Sequence, residues 1–393
     1  CAALALSAAS AQLASPFVWT AETATRMMAG GVKPFASAGV AGLRLPEYSG
    51  AAAAVYALYF VPLIVIARAL LDWRPVGDGP PIKNERPGRA LKLASVALII
   101  MLVVIIAHPS SAGGSGGRLR VDFLDVGQGD AALITTPDGT TLLVDGGGRP
   151  RFAGDGDGEA FEPDRRGVGD SVVSEYLWWR GLARVNYLFA THADADHAEG
   201  LGDVARNFGV GAAFVARAPA GDEELARFTS ALREAGVPAY LVGRGDRLRL
   251  GGVTIEALWP PPVTAESARG LPYRNDDSLV LRVSFGRRRI LLTGDIETAA
   301  ERALVAARDA LDSDALKVAH HGSRTSTTEA FLNAVRPSLA VISVGTDSPH
   351  GHPHTSVTER LRAAGVPFLT TGERGTITVS TDGEDLRVET FVR

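Results

Sequence analysis

Between Thr191 and His197 the chain reads THADADH, which places four metal-capable side chains, His192, Asp194, Asp196 and His197, within six residues. Imidazole nitrogens and carboxylate oxygens together suit a first-row divalent cation. Where an apolar strand ends in a tight loop and a helix begins, alternate side chains can aim at one point. His192 and Asp194 are then placed to serve one ion, and Asp196 and His197 a second. The plainer explanation of the same residues is a solvated polar loop whose acids favour a helix N-terminus.

Two further apolar runs end in similar residues. LLTGD finishes on Asp295, and LKVAHHGS carries His320 and His321. A carboxylate at such a strand end can bridge two ions about 3.5–4 Å apart, the separation that two-metal hydrolytic enzymes use. Taken alone, Asp295 reads equally well as a turn residue and the paired histidines as surface residues. Three strand-end sets in one chain favour a shared dinuclear hydrolytic centre.

The elements that must position these residues begin at Leu119, where the pattern becomes short strands with turns. LRVDFLDV alternates, Pro137 to Thr140 turns the chain before TLLVD, and VNYLFA runs directly into the first motif. SLVLRVSF and ILLTGD form a hairpin across Arg287, Arg288 and Arg289. Helical patterns intervene near 172–180, 222–235, 298–311, 328–335 and 355–364, and a Gly-, Asp- and Arg-rich stretch over 148–170 has no core pattern. A two-layer β core covered by helices fits, an α/β (α+β) architecture.

Upstream the character differs. Residues 51–71 and 91–107 approach the ~20 apolar residues of a bilayer span and are expected to be transmembrane helices; membranes tolerate a kink at Pro62. A buried soluble hairpin is the alternative, weakened by IIMLVVII, which has no polar face. Arg68, Arg74, Lys83, Arg86, Arg89 and Lys92 outnumber Asp72, Asp78 and Glu85 around the intervening loop. That bias puts the loop in the cytoplasm and everything after His108 outside it. The expected organisation is a membrane region over 1–108, a Gly/Ser linker over 109–117, and a hydrolase domain over 118–393 on the extracytoplasmic side of a multi-pass cell-membrane protein. The net charge of -4 excludes a global basic field for nucleic acid, so polyanion contact falls to a local patch or to metals. Cys1 is the only cysteine, which excludes internal disulfides and thiolate zinc sites. A first residue other than Met reads as a fragment, ahead of a lipid-modified Cys1.

The ordered set FLDVGQGD, LLVDGG, THADADH, NDDSLVL, TGD, AHHGS and GHP covers about residues 119–393. It resembles the metallo-β-lactamase superfamily and, more narrowly, the C-terminal domain of the ComEC-type competence proteins, membrane channels for DNA uptake. The resemblance implies an αββα sandwich with two divalent ions, Mn2+ or Zn2+, at the open edge between its sheets. It implies His192 and Asp194 on the first ion, Asp196, His197 and His320 on the second, and Asp295 as bridge, with His321 the alternative to His320. The superfamily more often has His where Asp194 stands, and the added oxygen inclines the site toward Mn2+. A further first-metal His has no clear equivalent; Asn275 and Asp276 occupy roughly its place.

Around these ligands, Asp145 is expected to hold a ligand His from behind, and Ser323 to contact phosphate. Ser326, with Glu329 three residues on, matches a capping box. Asp196 and His352 are the expected catalytic residues, His352 giving a proton to a leaving oxygen, with His350 and His354 beside it. Asp125 and Asp130 read as structural acids of a tight glycine turn, and Arg287 to Arg289 as a solvated turn ahead of a phosphate patch. The implied activity is a DNA phosphodiesterase or nuclease of DNA uptake, with single-stranded DNA, the membrane and other uptake machinery as partners. The alternatives are a membrane-tethered small-molecule hydrolase and a non-catalytic DNA-guiding module.

Overall fold

The computed structural model describes residues 54–71, 88–107, 115–149, 167–216, 222–262, 275–308 and 310–392. The first fifty residues, most of the basic loop between the apolar stretches, the linker up to Gly114 and most of the 148–170 stretch lie outside them.

Helices α1 (Ala54–Leu71, with Pro62 inside) and α2 (Arg89–Ala107) form on the two apolar stretches. Leu58, Phe60, Val61 and Ile64 of α1, and Leu93, Val96, Ile99, Ile100 and Val103 of α2, are exposed. Among the described residues no helix is long and apolar enough to cross a membrane, so the two expected spans are not seen as such.

The rest is built on fifteen strands among the described residues. In chain order they are β1 (Leu119–Phe123), β2 (Ala132–Thr135), β3 (Thr141–Val144), β4 (Arg184–Ala190), β5 (Gly209–Val215), β6 (Ala239–Leu241), β7 (Arg247–Leu250) and β8 (Val253–Trp259). They continue with β9 (Val280–Phe285), β10 (Arg288–Leu292), β11 (Ala315–Lys317), β12 (Leu339–Ile342), β13 (Phe368–Thr370), β14 (Ile377–Thr381) and β15 (Leu386–Thr390). The intervening helices are α3 (Glu175–Trp179, continuing a wider turn at Gly169–Ser174), α4 (Ala195–Asn207), α5 (Glu223–Glu234), α6 (Thr298–Ala306), α7 (Glu329–Val335), α8 (Thr355–Ala363) and α9 (Thr371–Arg374).

Eight strands form one sheet in the order β15-β14-β1-β2-β3-β4-β5-β6, and seven form the other, β13-β12-β11-β10-β9-β8-β7. Why two sheets and two helical layers follows from the alternation. Along β3, Leu142 and Val144 enter the core between the sheets, and Leu143 enters a second core beneath α3, α4 and α5. On β10, Ile290 and Leu292 face the inter-sheet core, and Leu291 faces a third core beneath α6, α7 and α8. Strands buried on both faces read as continuous apolar runs, as TLLV and RRILL nearly do. Three cores separate four layers, which is the αββα sandwich expected from the resemblance. The chain end closes it, since β14 pairs antiparallel with β1.

What positions the site is strand direction. β3 to β6 run parallel, as do β10 to β13. Loops at the carboxyl ends of parallel strands converge at one edge, where ligands bind in such sheets. At that edge the sheets touch, the Leu279 amide donating to the Thr191 carbonyl at 2.9 Å. Two boundaries fall short of the sequence pattern: α6 ends at Ala306, and β11 ends at Lys317, because the chain then enters a tight turn at Ala319–Gly322.

Candidate metal centre

Each ligand candidate lies just past the end of a parallel strand. Asp145 follows β3, the heptapeptide follows β4, Asp295 follows β10, and His320 and His321 follow β11. Close approach of these loops needs glycine at two places. Gly294 has φ +50°, and a Cβ there would lie 2.9 Å from Ser278 Cβ and 3.1 Å from Thr191 Cβ. Gly129 has φ +112°, and a Cβ would lie 2.1 Å from the Asp196 carbonyl oxygen. The GQGD and TGD glycines thus let two loops press against the heptapeptide.

Asp145 sets the proton order of one side. Its Oδ1 accepts from the Thr191 amide at 2.8 Å, and its Oδ2 accepts from the Thr191 hydroxyl at 2.7 Å and from His197 Nδ1 at 2.9 Å. Thr191 Oγ1, having given its proton to Asp145, accepts from His192 Nδ1 at 3.0 Å. Both rings therefore turn Nε2 away from Asp145. Opposite them, His321 donates Nδ1 to the Ser343 carbonyl at 2.9 Å, which also leaves Nε2 forward. A ligand imidazole oriented through its far N–H is the usual second-shell arrangement.

The forward atoms converge. His197 Nε2 and His321 Nε2 are 3.3 Å apart, and each is 3.3 Å from Asp295 Oδ2. Asp196 Oδ2 is 3.5 Å from His321 Nε2 and 3.9 Å from His197 Nε2, and Asp194 Oδ2 is 3.5 Å from His192 Nε2. Among the described residues four groups bring their donor atoms together within 4.8 Å: His192 with His197 and Asp295, Asp196 with His197 and His321, and, behind these, Asp130 with Asp145 and His197 and Asp130 with Asp295 and His321. Imidazole nitrogens converging on a carboxylate suit a shared cation, and nitrogen and oxygen donors of this kind fit a divalent metal ion.

The electrostatics agree. Burial opposes charge on His197 and His321, yet Asp295 and the other carboxylates around them raise both rings well above the ordinary imidazole range. Asp295 and Asp196 are held well below the carboxylate range, against burial, by those same two rings. A cluster that binds protons this firmly asks for positive charge, and a divalent ion satisfies the same field by displacing the protons.

His320 is turned aside, its Nδ1 3.1 Å from Glu297 Oε1 and its Nε2 3.8 Å from Asp295 Oδ2, so His321 is the ring that joins the cluster. Both residues sit in the left-handed region, at φ 49° and 52°, and this turn decides which ring points inward. Asn275 Nδ2 lies 3.4 Å from the His320 ring nitrogens. Asp276 is placed elsewhere: its Oδ1 accepts from the Glu297 and Ala300 amides at the start of α6, which leaves it as that helix's cap. Ser323 Oγ is 2.9 Å from Thr325 Oγ1. Ser326 does not cap α7; its hydroxyl donates to the Ala319 and Ser323 carbonyls, and Thr328 is the cap, accepting from the Phe331 amide. Arg288 and Arg289 are paired with Asp314 and Asp312.

A cavity of about 480 Å³ opens over the cluster, lined by Gln128, Asp194, Asp196, Asp295, His320, His321, His350 and His352. His354 stands apart as the cap of α8, accepting from the Ser356 amide. Burial, then the neighbouring rings of His320, His321 and His350, push His352 down to about 4. It is therefore neutral near pH 7. Asp130 was expected to be structural, and it is a neighbour of the site: its Oδ1 is 3.5 Å from His321 Nδ1, and its other oxygen pairs with Lys317. Against burial, Lys317 and then His321 lower Asp130 to about 2. Lys317 and Glu297 were not singled out in the sequence; the available signal was a lysine inside the apolar run ALKVA.

The metallo-beta-lactamase superfamily model matches residues 124–346. ComE operon protein 3 of Bacillus subtilis (strain 168) is 30% identical over 297 residues, covering 75% of this chain and 37% of that protein. Recombination protein 2 of Haemophilus influenzae is 29% identical over 282 residues, covering 72% of this chain and 31% of that protein. Competence protein ComA of Neisseria gonorrhoeae is 28% identical over 383 residues, covering 94% of this chain and 48% of that protein. The chain thus spans less than half the length of each of these relatives. The superfamily match takes in Asp130, Asp145, the heptapeptide, Asp295 and His321, the residues that two sheets bring to one edge, and the chain belongs to the metallo-β-lactamase superfamily.

Proposed function

We propose that the chain is a membrane-anchored dinuclear metallohydrolase that cleaves DNA phosphodiesters during DNA uptake. The observation that carries the hydrolase reading is the meeting of His197, His321 and Asp295, three donors mutually 3.3 Å apart, beneath an open cavity. The DNA reading is supported by the likeness to a relative named for competence, Competence protein ComA. Membrane anchoring is supported by the uncovered apolar side chains of α1 and α2, and the extracytoplasmic placement by the basic loop between them.

In this reading His192 and Asp194 would hold one ion, Asp196, His197 and His321 the other, and Asp295 would serve both. Oxygen-rich donors favour Mn2+, with Zn2+ second. Bound divalent ions supply a water of lowered pKa and Lewis acidity toward a phosphoryl oxygen. The chain's own part is to hold that chemistry in register. Asp145 and the Ser343 carbonyl fix the imidazole tautomers, and Gln128 and the cavity histidines line the space a phosphodiester would enter. His352, neutral at rest, gains proton affinity when an anionic phosphate settles beside it and can then protonate a leaving oxygen at its ring nitrogen.

A second reading, hydrolysis of a small ester or phosphodiester, is favoured by one feature: neither Lys nor Arg is among the residues lining the cavity. The experiment is Mn2+ and Zn2+ titration of the 393-residue chain, followed by incubation with single-stranded DNA and with a small nitrophenyl phosphodiester. Mn2+-dependent cutting of DNA is the expected result. Metal binding with turnover of the small diester alone would replace the nuclease reading, and absence of metal binding would remove the hydrolase reading.

A further inference from the structure

β11 carries a lysine where its neighbours are apolar. All three of its residues are buried, and Lys317 is 3% exposed. Its Nζ pairs with the Asp130 carboxylate, donates to the Gly294 carbonyl at 3.2 Å, and lies 3.6 Å from Asp295 Oδ1. Asp295 is thereby divided. Its Oδ2 faces His197 and His321, while its buried Oδ1 makes no hydrogen bond and has the ammonium beside it. An apolar side chain would fill this strand position without burying a charge, and burying a charge is costly unless it is paired. Asp130, just before β2 in one sheet, supplies the partner for Lys317 in the other, so the pair crosses between the sheets directly beneath the cluster.

We propose that Lys317, anchored by Asp130, is a positioning residue for the metal centre: it keeps the rear oxygen of Asp295 turned away, so that only Oδ2 is presented to the imidazoles, and offsets part of the carboxylate charge below them. This rests on reading the cluster as a metal centre. Lys317 touches none of the forward-facing atoms and acts through Asp295 and, by way of Asp130, through His321.

The test is Mn2+ binding to the full chain, followed by calorimetry and by the electron paramagnetic resonance spectrum of the bound ion. The informative variant is Lys317→Met combined with Asp130→Asn, which removes both charges together and leaves neither buried alone. Its melting temperature stays near that of the parent chain. Its Mn2+ affinity falls about 10–100-fold, the range for removing a residue that orients a ligand, and its spectrum changes because Asp295 is free to turn. Should the double variant not fold, Lys317→Gln, of similar length and with a donor kept, is measured instead, with a smaller loss expected in the same direction. Unchanged affinity and an unchanged spectrum would make the pair a structural link only and overturn the proposal. A parent chain that binds no Mn2+ would overturn the metal-centre reading and this proposal with it.

Discussion

The two sheets contribute to the candidate metal centre in unlike ways. The sheet of β1 to β6 delivers His192, Asp194, Asp196 and His197 from one continuous loop, and one carboxylate, Asp145, orders two of its rings. The other sheet delivers Asp295 and His321 from two separate strands and bends its backbone to do so. His320 and His321 are consecutive non-glycine residues with positive φ, and such residues cost on the order of 1–3 kcal/mol each. One half is specified by sequence spacing and local hydrogen bonds; the other is specified by tertiary packing that holds a strained turn in place. Strain of this kind persists where the surroundings over-determine it. Here the Ser343 carbonyl, Glu297 and the Gly294 carbonyl do so, by binding His321 Nδ1, His320 Nδ1 and the His320 amide.

The largest effects come from removing a donor on either side. His192→Ala on the first half and Asp295→Asn on the second should each abolish metal-dependent cleavage. Lewis-acid stabilisation of several kcal/mol corresponds to a loss on the order of a thousandfold or more. Asp295→Asn should also weaken metal binding more than His192→Ala, because Asp295 Oδ2 lies 3.3 Å from both rings of the central triangle. Equal losses of affinity, measured by calorimetry, would mean that the halves are not divided as the distances suggest.

A sharper break lies within the second half. His321→Ala should lose metal affinity and cleavage together, whereas His320→Ala should leave binding within about an order of magnitude of the parent, since its ring is held by Glu297 outside the converging groups. The reverse order of effects would place His320 in the centre and His321 behind it.

The same contrast explains what the sequence made legible. A two-layer β core covered by helices could be read because strands buried on two faces show as apolar runs and helices as periodic ones, and the αββα sandwich followed from the resemblance. The heptapeptide could be read because its donors are contiguous. Choosing between His320 and His321 could not be done from sequence, since a one-residue choice at a strand end depends on φ values that no spacing rule fixes. Asp276 shared its acid chemistry with the candidate ligands, and only the positions of the Glu297 and Ala300 amides show it to be a helix cap. Asp130 looked structural because its partner, Lys317, sits on the opposite sheet, far along the chain.

On the first half the expected effects are smaller, because its key partner touches the centre only through the rings. Asp145→Asn keeps the shape but exchanges an acceptor oxygen for a donor, so it cannot serve Thr191 and His197 together. Metal affinity should fall about 10–100-fold. Thr191→Ala should reproduce part of that loss, because His192 then loses the hydroxyl its Nδ1 donates to. If Asp145→Asn bound metal as the parent does, the tautomers would be set elsewhere, and the division of labour between the halves would fail on its better-ordered side.

The smallest effect separates cap from ligand loop where the second half runs into α7. Thr328→Ala removes the acceptor for the Phe331 amide and should cost about 1 kcal/mol in thermal or denaturant unfolding, with metal affinity unchanged. Ser326→Ala should cost a comparable amount, since a buried hydroxyl that holds two carbonyls is worth about that much. It should also weaken metal binding severalfold, because the carbonyls it holds, those of Ala319 and Ser323, bracket His320 and His321. A Ser326→Ala variant that lost stability but bound metal normally would show that the strained turn keeps its shape without that clamp. The positions of His320 and His321 would then rest on the contacts to Ser343, Glu297 and Gly294 alone.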